Sequence, residues 1–234
     1  MSPKRRVAIM TAVFAAVGVG VSVGIIAAGG GFSAPGRPIL TPPTAEDIWV
    51  VGGNIKDGTA LDYSLTAKSE ASSLDSAQVS MVFTEAGDDN WNVEFTIVNG
   101  TGQTVVENTM TMSKELTREG QLDESFRPYF DPIQSSIFAV REMEYGDSPK
   151  YLVVGAPWNQ IFYQSSEVIV RVTGEETVQT QAGTFDAFVL SYKLADKTSK
   201  IWVVRDMPLP VKAEVYDPED NLQYRYELVR ASGV

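Results

Sequence analysis

The chain has 234 residues, 44% of them hydrophobic, with no cysteine and no histidine. Those absences exclude disulfides, a lipid-modified N-terminal cysteine, the usual zinc and haem ligands, and catalysis by Cys or His. Lys4, Arg5 and Arg6 precede the first acid, Glu46, and the sixteen basic residues that follow them face thirty acidic ones, a net of −14. An acidic surface of that kind repels nucleic acid and anionic membranes.

Residues 1–6 read as a cytoplasmic stub. Val7 to Phe32 carry no charge, and a helix of that length exceeds the ~30 Å hydrocarbon core. The stretch is therefore expected to be a signal-anchor helix, a single pass through the bilayer. The basic cluster holds the N-terminus in the cytoplasm and places the rest outside the cytoplasm. Cleavage as a signal peptide is the competing reading. Ala27, Ala28 and Ala34 are small enough for it, but the apolar run is longer than such cores and Pro35 follows Ala34. Gly20 and Gly24 form a G-x-x-x-G pair that would let two such helices approach in a homodimer, although glycine is common in this segment. Residues 33–46, with Pro35, Pro38, Pro42 and Pro43, read as a semi-rigid spacer.

From residue 47 to 234 period-2 alternation dominates. Val79, Met81 and Phe83 alternate with polar residues, and after the Gly87–Asn90 turn so do Trp91, Val93, Phe95 and Ile97. Asn99 to Gly102 is a second turn into a strand over Thr104–Met112. Asn99-Gly100-Thr101 also matches a glycosylation acceptor; the turn chemistry accounts for it equally well. Further strands are expected at Glu167–Thr173, Glu176–Gln181, Thr184–Leu194, Ser199–Arg205, Val211–Tyr216 and Leu222–Val229. Between them, Asp131-Pro132 reads as an N-cap with proline at the first helical position. Ile133, Ile137 and Val140 follow at helical spacing, with Phe138 beside them and Arg141 near the end, predicting one helix over Pro132–Met143. The expected fold is mainly β: an antiparallel open sheet or half-barrel with one packed α-helix.

The run Gln181-Ala182-Gly183-Thr184-Phe185, the alternating strand after it, the strand Lys200-Ile201-Trp202-Val203-Val204 and then Leu209-Pro210-Val211-Lys212 resemble the envelope proteins grouped as domain of unknown function 3108. These are similar in turn to LolA/LolB-like carriers, whose fold is an open half-barrel with helices over its mouth. The resemblance covers about residues 165–230. It implies a fold more than an activity. By analogy with carriers that hold acyl chains, it nominates an apolar lining of Ile137, Phe138, Phe185, Phe188, Leu190, Tyr192 and Trp202. Alternating aromatics are more commonly core.

No catalytic set stands out. Glu175 and Glu176 are adjacent in extended chain, so their side chains point apart. Ser191 and Lys193 share a face, as many strand pairs do. Asp88-Asp89-Asn90 and Asp217 to Asn221 offer oxygen ligands without the spacing of a calcium loop. Met110 and Met112 lack a further soft ligand nearby for Cu(I). No cofactor or metal is expected. The reading is a membrane-anchored, extracytoplasmic, non-enzymatic binding or scaffolding domain of the cell envelope, with an envelope protein as partner. The alternatives are a lipid or apolar-ligand holder and, ranked last, a hydrolase or metal-dependent enzyme.

Overall fold

The computed structural model describes residues 42–68, 73–142, 149–163 and 166–234. The expected membrane anchor, its Gly20/Gly24 pair and most of the linker lie outside the described residues. Among the described residues no helix is long and apolar enough to cross a membrane.

Twelve strands are described. They are β1 (Ile48–Trp49), β2 (Ala60–Lys68), β3 (Ser73–Glu85), β4 (Asn90–Val98), β5 (Thr104–Ser113), β6 (Lys150–Tyr151), β7 (Pro157–Tyr163), β8 (Ser166–Thr180), β9 (Gly183–Lys193), β10 (Thr198–Val203), β11 (Lys212–Tyr216) and β12 (Leu222–Ser232). β1 pairs with β6, and the other ten form one open antiparallel sheet in the order β5-β4-β3-β2-β12-β11-β10-β9-β8-β7. The sheet is two meanders, β2 to β5 and β7 to β12, joined where β12 lies against β2. Short turns make each meander, because antiparallel neighbours need only a hairpin between them.

One face of this sheet is the core. Directly opposed residues of an antiparallel pair share a face. The register runs Phe95–Met81–Leu61 and Ile97–Val79–Tyr63–Leu228 in one half, and Tyr226–Ala213–Ile201–Leu190–Val172 in the other. All of these side chains are buried. The sheet also curls. The β8–β9 hairpin tip reaches past the ends of β10 and β11 to β12, where the Ala182 N–H donates to the Leu228 carbonyl at 3.3 Å.

The single helix expected over Pro132–Met143 is instead two short ones, α1 (Arg127–Gln134) and α2 (Ala139–Glu142). Asp131 is not the cap. Asp123 starts the helical run: its carboxylate accepts the Ser125 N–H at 2.8 Å, and its carbonyl accepts from Phe126 and Arg127. Pro132 sits inside α1. Burial of Phe126 and Phe130, four apart and both packed on Phe95, outweighs the proline start signal. The interruption at Ser135–Phe138 is satisfied locally, with the buried Ser136 hydroxyl donating to the Pro132 carbonyl at 2.5 Å. The two strands expected at Glu167–Thr173 and Glu176–Gln181 are one, β8, whose register shifts between Val172 and Gly174.

Candidate binding cleft

α1 lies on β2 and β3 at the inner face of the sheet. Phe95 on β4 meets Phe126, Phe130 and Phe138 with ring centroids 5.6, 5.9 and 6.4 Å away. This aromatic knot fills the space beneath the helices. Of the two residues expected there to line a ligand site, Ile137 is core at 0% exposure, and Phe138, at 1%, is packed in the knot with an edge on the first cleft described below.

The other expected lining residues divide between two faces. Phe188, Leu190 and Tyr192 point to the inner face on β9, whereas Phe185 falls on the opposite one. Trp202 pairs with Val189 and Lys212, which also puts it on the outer face. There its indole N–H donates to Glu176 Oε2 at 3.0 Å, while Lys200 Nζ meets Glu176 Oε1 at 2.8 Å. The Lys200 and Lys212 ammonium groups stand 5.7 and 5.8 Å from the Trp202 ring centroid. The hydrogen bond from Lys200, followed by that from Trp202, holds the Glu176 carboxyl below its usual range. This is a packed polar cluster and not an apolar lining. The seven residues therefore do not converge on one cavity: the helix pair lies over the β2–β4 half, the β9 trio lies in the other half, and two residues face outward.

Two clefts open elsewhere. The first, about 240 Å³, lies between β5 with its return loop and the helices. Met112, Leu116, Phe130 and Phe138 supply apolar walls, and Thr117, Arg118, Gln134 and Arg141 polar ones. Local structure explains how Arg118 gets there. After β5 the chain turns at Lys114–Leu116, and residues 117–119 run back along the strand. Ser113 N–H donates to the Thr117 carbonyl at 2.7 Å, Glu119 N–H donates to the Thr111 carbonyl at 2.9 Å, and Arg118 stands opposite Met112. Arg118 thus shares the inner face with Met112. Arg141 arrives on α2.

Of the seven arginines among the described residues, four are ion-paired and three, the exposed Arg171 and the two in this cleft, are not. Arg127, Arg205, Arg225 and Arg230 each have a carboxylate within 3.3 Å. Among the described residues neither Arg118 nor Arg141 has one, and the buried Nε–H of Arg141 has no hydrogen-bond partner. Leaving a guanidinium N–H both desolvated and unpaired is costly. Two guanidinium groups without a carboxylate thus stand on one apolar cleft, where an ionised acceptor is the partner that pairs with them most strongly. The expectation from sequence treated Arg141 only as a helix-end charge and passed over Arg118, because neither side chain's surroundings are encoded locally.

The second cleft, about 390 Å³, runs from Val50–Asp57 to Trp91, Lys114 and Glu115. The Lys114 ammonium sits 3.2 Å over the Trp91 ring centroid. Its wall mixes both signs of charge, Lys56 and Lys114 with Asp57, Glu85 and Glu115. Of the acidic turns, the one at Asp217 is held by its own carboxylate: Asp217 Oδ1 accepts from the Glu219 and Asn221 N–H groups at 3.0 and 2.8 Å. Ser191 donates its hydroxyl to Thr173 at 3.0 Å.

Residues 99–225 match the family described as protein of unknown function (DUF3108). The chain belongs to that family. No curated protein matches it in sequence. Among solved structures, it is similar to a Parabacteroides distasonis protein assigned as a lipoprotein, at 14% identity and TM-score 0.39, over 78% of this chain and 99% of the other. A Bacteroides fragilis protein assigned as exported, with a YmcC-like fold, gives 12% identity and TM-score 0.38 over 80% and 99%. MucB from the Pseudomonas aeruginosa MucA/MucB complex gives 15% identity and TM-score 0.36, over 74% of this chain and 51% of its own length.

Proposed function

We propose that this member of the DUF3108 family is a non-enzymatic binding domain of the cell envelope, tethered outside the cytoplasm by Val7–Phe32, which engages a protein partner at the cleft between β5 and the helices. The observation that carries this reading is the pair Arg118 and Arg141, both without a carboxylate among the described residues, set on the apolar walls Met112, Leu116, Phe130 and Phe138. At about 240 Å³ the cleft falls below the ~300–1,000 Å³ of sites that enclose a whole small molecule. It suits an anchoring side chain and its neighbouring carboxylate. The apolar walls also suit the end of an acyl chain, which keeps the ligand-holder reading as the second one.

The test is a photo-activatable amino acid in place of Gln134, in the full-length chain in its native membrane. A discrete protein adduct that disappears in Arg118→Gln/Arg141→Gln supports the reading. A lipid adduct in its place moves the assignment to the holder, and an adduct unaffected by loss of both arginines overturns the cleft as the site.

A further inference from the structure

β5 is one edge of the ten-stranded sheet. Edge strands are normally blunted by proline, lysine or brevity. The opposite edge, β7, opens with Pro157. β5 has ten residues, Thr104 to Ser113, with no proline and no lysine. Its only charged residue is Glu107.

The hydrogen-bond phase of β5 is fixed by its neighbours. Asn90 gives its carbonyl to Ala86 on the β3 side, whereas Asp89 gives its carbonyl to Lys114. Odd-numbered β4 residues therefore bond toward β5, and their partners there are the even-numbered Val106, Asn108, Met110 and Met112. The N–H and C=O of Glu107, Thr109 and Thr111 must point out of the sheet. The Thr111 carbonyl is taken by Glu119. At Gly120, with φ +75°, the returning chain leaves the strand. The outward groups of Thr109 and Glu107 beyond it have no backbone partner among the described residues.

We infer that the outer edge of β5 takes an extended, acidic and apolar segment of a partner protein as an added strand, in line with residues 117–119 and ending on the arginine cleft. This rests on the protein-partner reading of that cleft and specifies how the partner is held. The chemistry of the segment follows from the register. An added strand replaces the chain where Gly120 turns away, so its residue opposite Met110 lies on the inner face, one pleat repeat or ~7 Å along from Arg118. A carboxylate there reaches a guanidinium that has none of its own. Residues opposite Asn108 and Val106 share the same face, where Val106 and Met110 are half-buried hydrophobics packed on the core, and apolar side chains there extend that packing. Main-chain bonds supply affinity and alternate side chains supply specificity.

The test uses the full-length chain in detergent micelles and the peptide Glu-Thr-Val-Thr-Val, which puts its glutamate and both valines on one face, with the same peptide carrying lysine for glutamate as control. The glutamate peptide is expected to bind about tenfold or more tightly than the lysine one, and to slow hydrogen exchange of the Glu107 and Thr109 amides. Thr109→Pro, which removes an outward N–H and no bond to β4, is expected to abolish that binding. Equal affinity for the two peptides, or exchange at Glu107 and Thr109 that the peptide does not slow, overturns the inference. So does protection of those amides by rising protein concentration alone, which assigns the edge to a second copy of this chain. A Gln134 cross-link to a protein that survives Thr109→Pro also overturns strand addition while leaving the cleft reading standing; loss of the cross-link in Arg118→Gln/Arg141→Gln reports on that reading separately.

Discussion

Tyr63 and Tyr226 sit edge to face in the core, 5.6 Å between centroids, each almost wholly buried. Tyr63 Oη–H donates to the Pro210 carbonyl at 3.1 Å, a bond that only the neutral phenol can make. Burial pushes both phenols far above their usual range. The folded chain therefore keeps two protons that the unfolded chain releases near pH 10. Stability is fully present below that value and falls as pH rises above it, by up to about 1.4 kcal/mol per pH unit for each tyrosine. Urea denaturation between about pH 9 and 12, the range around the ordinary tyrosine value, measures the slope. Tyr63→Phe removes one of the two contributions, so its stability declines less steeply with pH. An unchanged slope would mean that Tyr63 does not titrate differently in the two states.

At the scale of the element, α1 shows how a correct local signal can be misplaced. Asp-Pro at 131–132 has the composition of a helix start, yet α1 begins after Phe126, and Asp123 starts the turn that leads into it. Its carboxylate takes both the N–H and the hydroxyl of Ser125 at 2.8 Å, and these two hydrogen bonds keep its carboxyl below the usual range. Asp123→Ala is expected to lower the denaturation midpoint clearly more than Asp131→Ala, because it removes both hydrogen bonds that hold the turn into the helix. Equal effects of the two substitutions in thermal melts would show that Asp123 does not start this helix. The strands were more legible. The alternation of Trp91, Val93, Phe95 and Ile97 and of Tyr224, Tyr226 and Leu228 marked both the strand and its buried face. β2 was overlooked although its Leu61, Tyr63, Leu65 and Ala67 alternate as cleanly. β1 and β6 are two-residue strands that exist only because each finds the other across about a hundred residues.

The whole molecule turns on one long-range contact. β12 and β2 pair from Tyr224–Ala67 to Ser232–Ala60, and Arg230 meets Asp62 at 2.6 Å across the seam. Neither meander closes the core alone, since Tyr226, Leu228, Tyr63 and Leu65 lie side by side at the join. Amides of β12 and β2 that bond across this seam are expected to exchange only on global unfolding, with protection matching the full stability of roughly 5–15 kcal/mol. The outward amides of β5 should exchange orders of magnitude faster in the free protein. Native-state hydrogen exchange measures both. Faster exchange at the seam than in the β3–β4 hairpin would show that the meanders separate before they unfold.

Local physics by itself determined the antiparallel, mainly β character of this domain, because side-chain alternation and turn residues are written in adjacent positions. It also determined the acidic balance, and the lack of any histidine or cysteine chemistry. The resemblance around Gly183-Thr184-Phe185 pointed to the right family. The tertiary structure alone decided which residues share a space. Phe185 and Trp202 fell on the sheet face opposite Leu190, where Trp202 is buried and Phe185 half-buried, because β9 and β10 pair in a register that no single strand specifies. Phe138 became core because Phe95, Phe126 and Phe130 converge on it from other elements. Arg118 and Arg141 met on one cleft because a return loop and a short helix pack against the same end of the sheet.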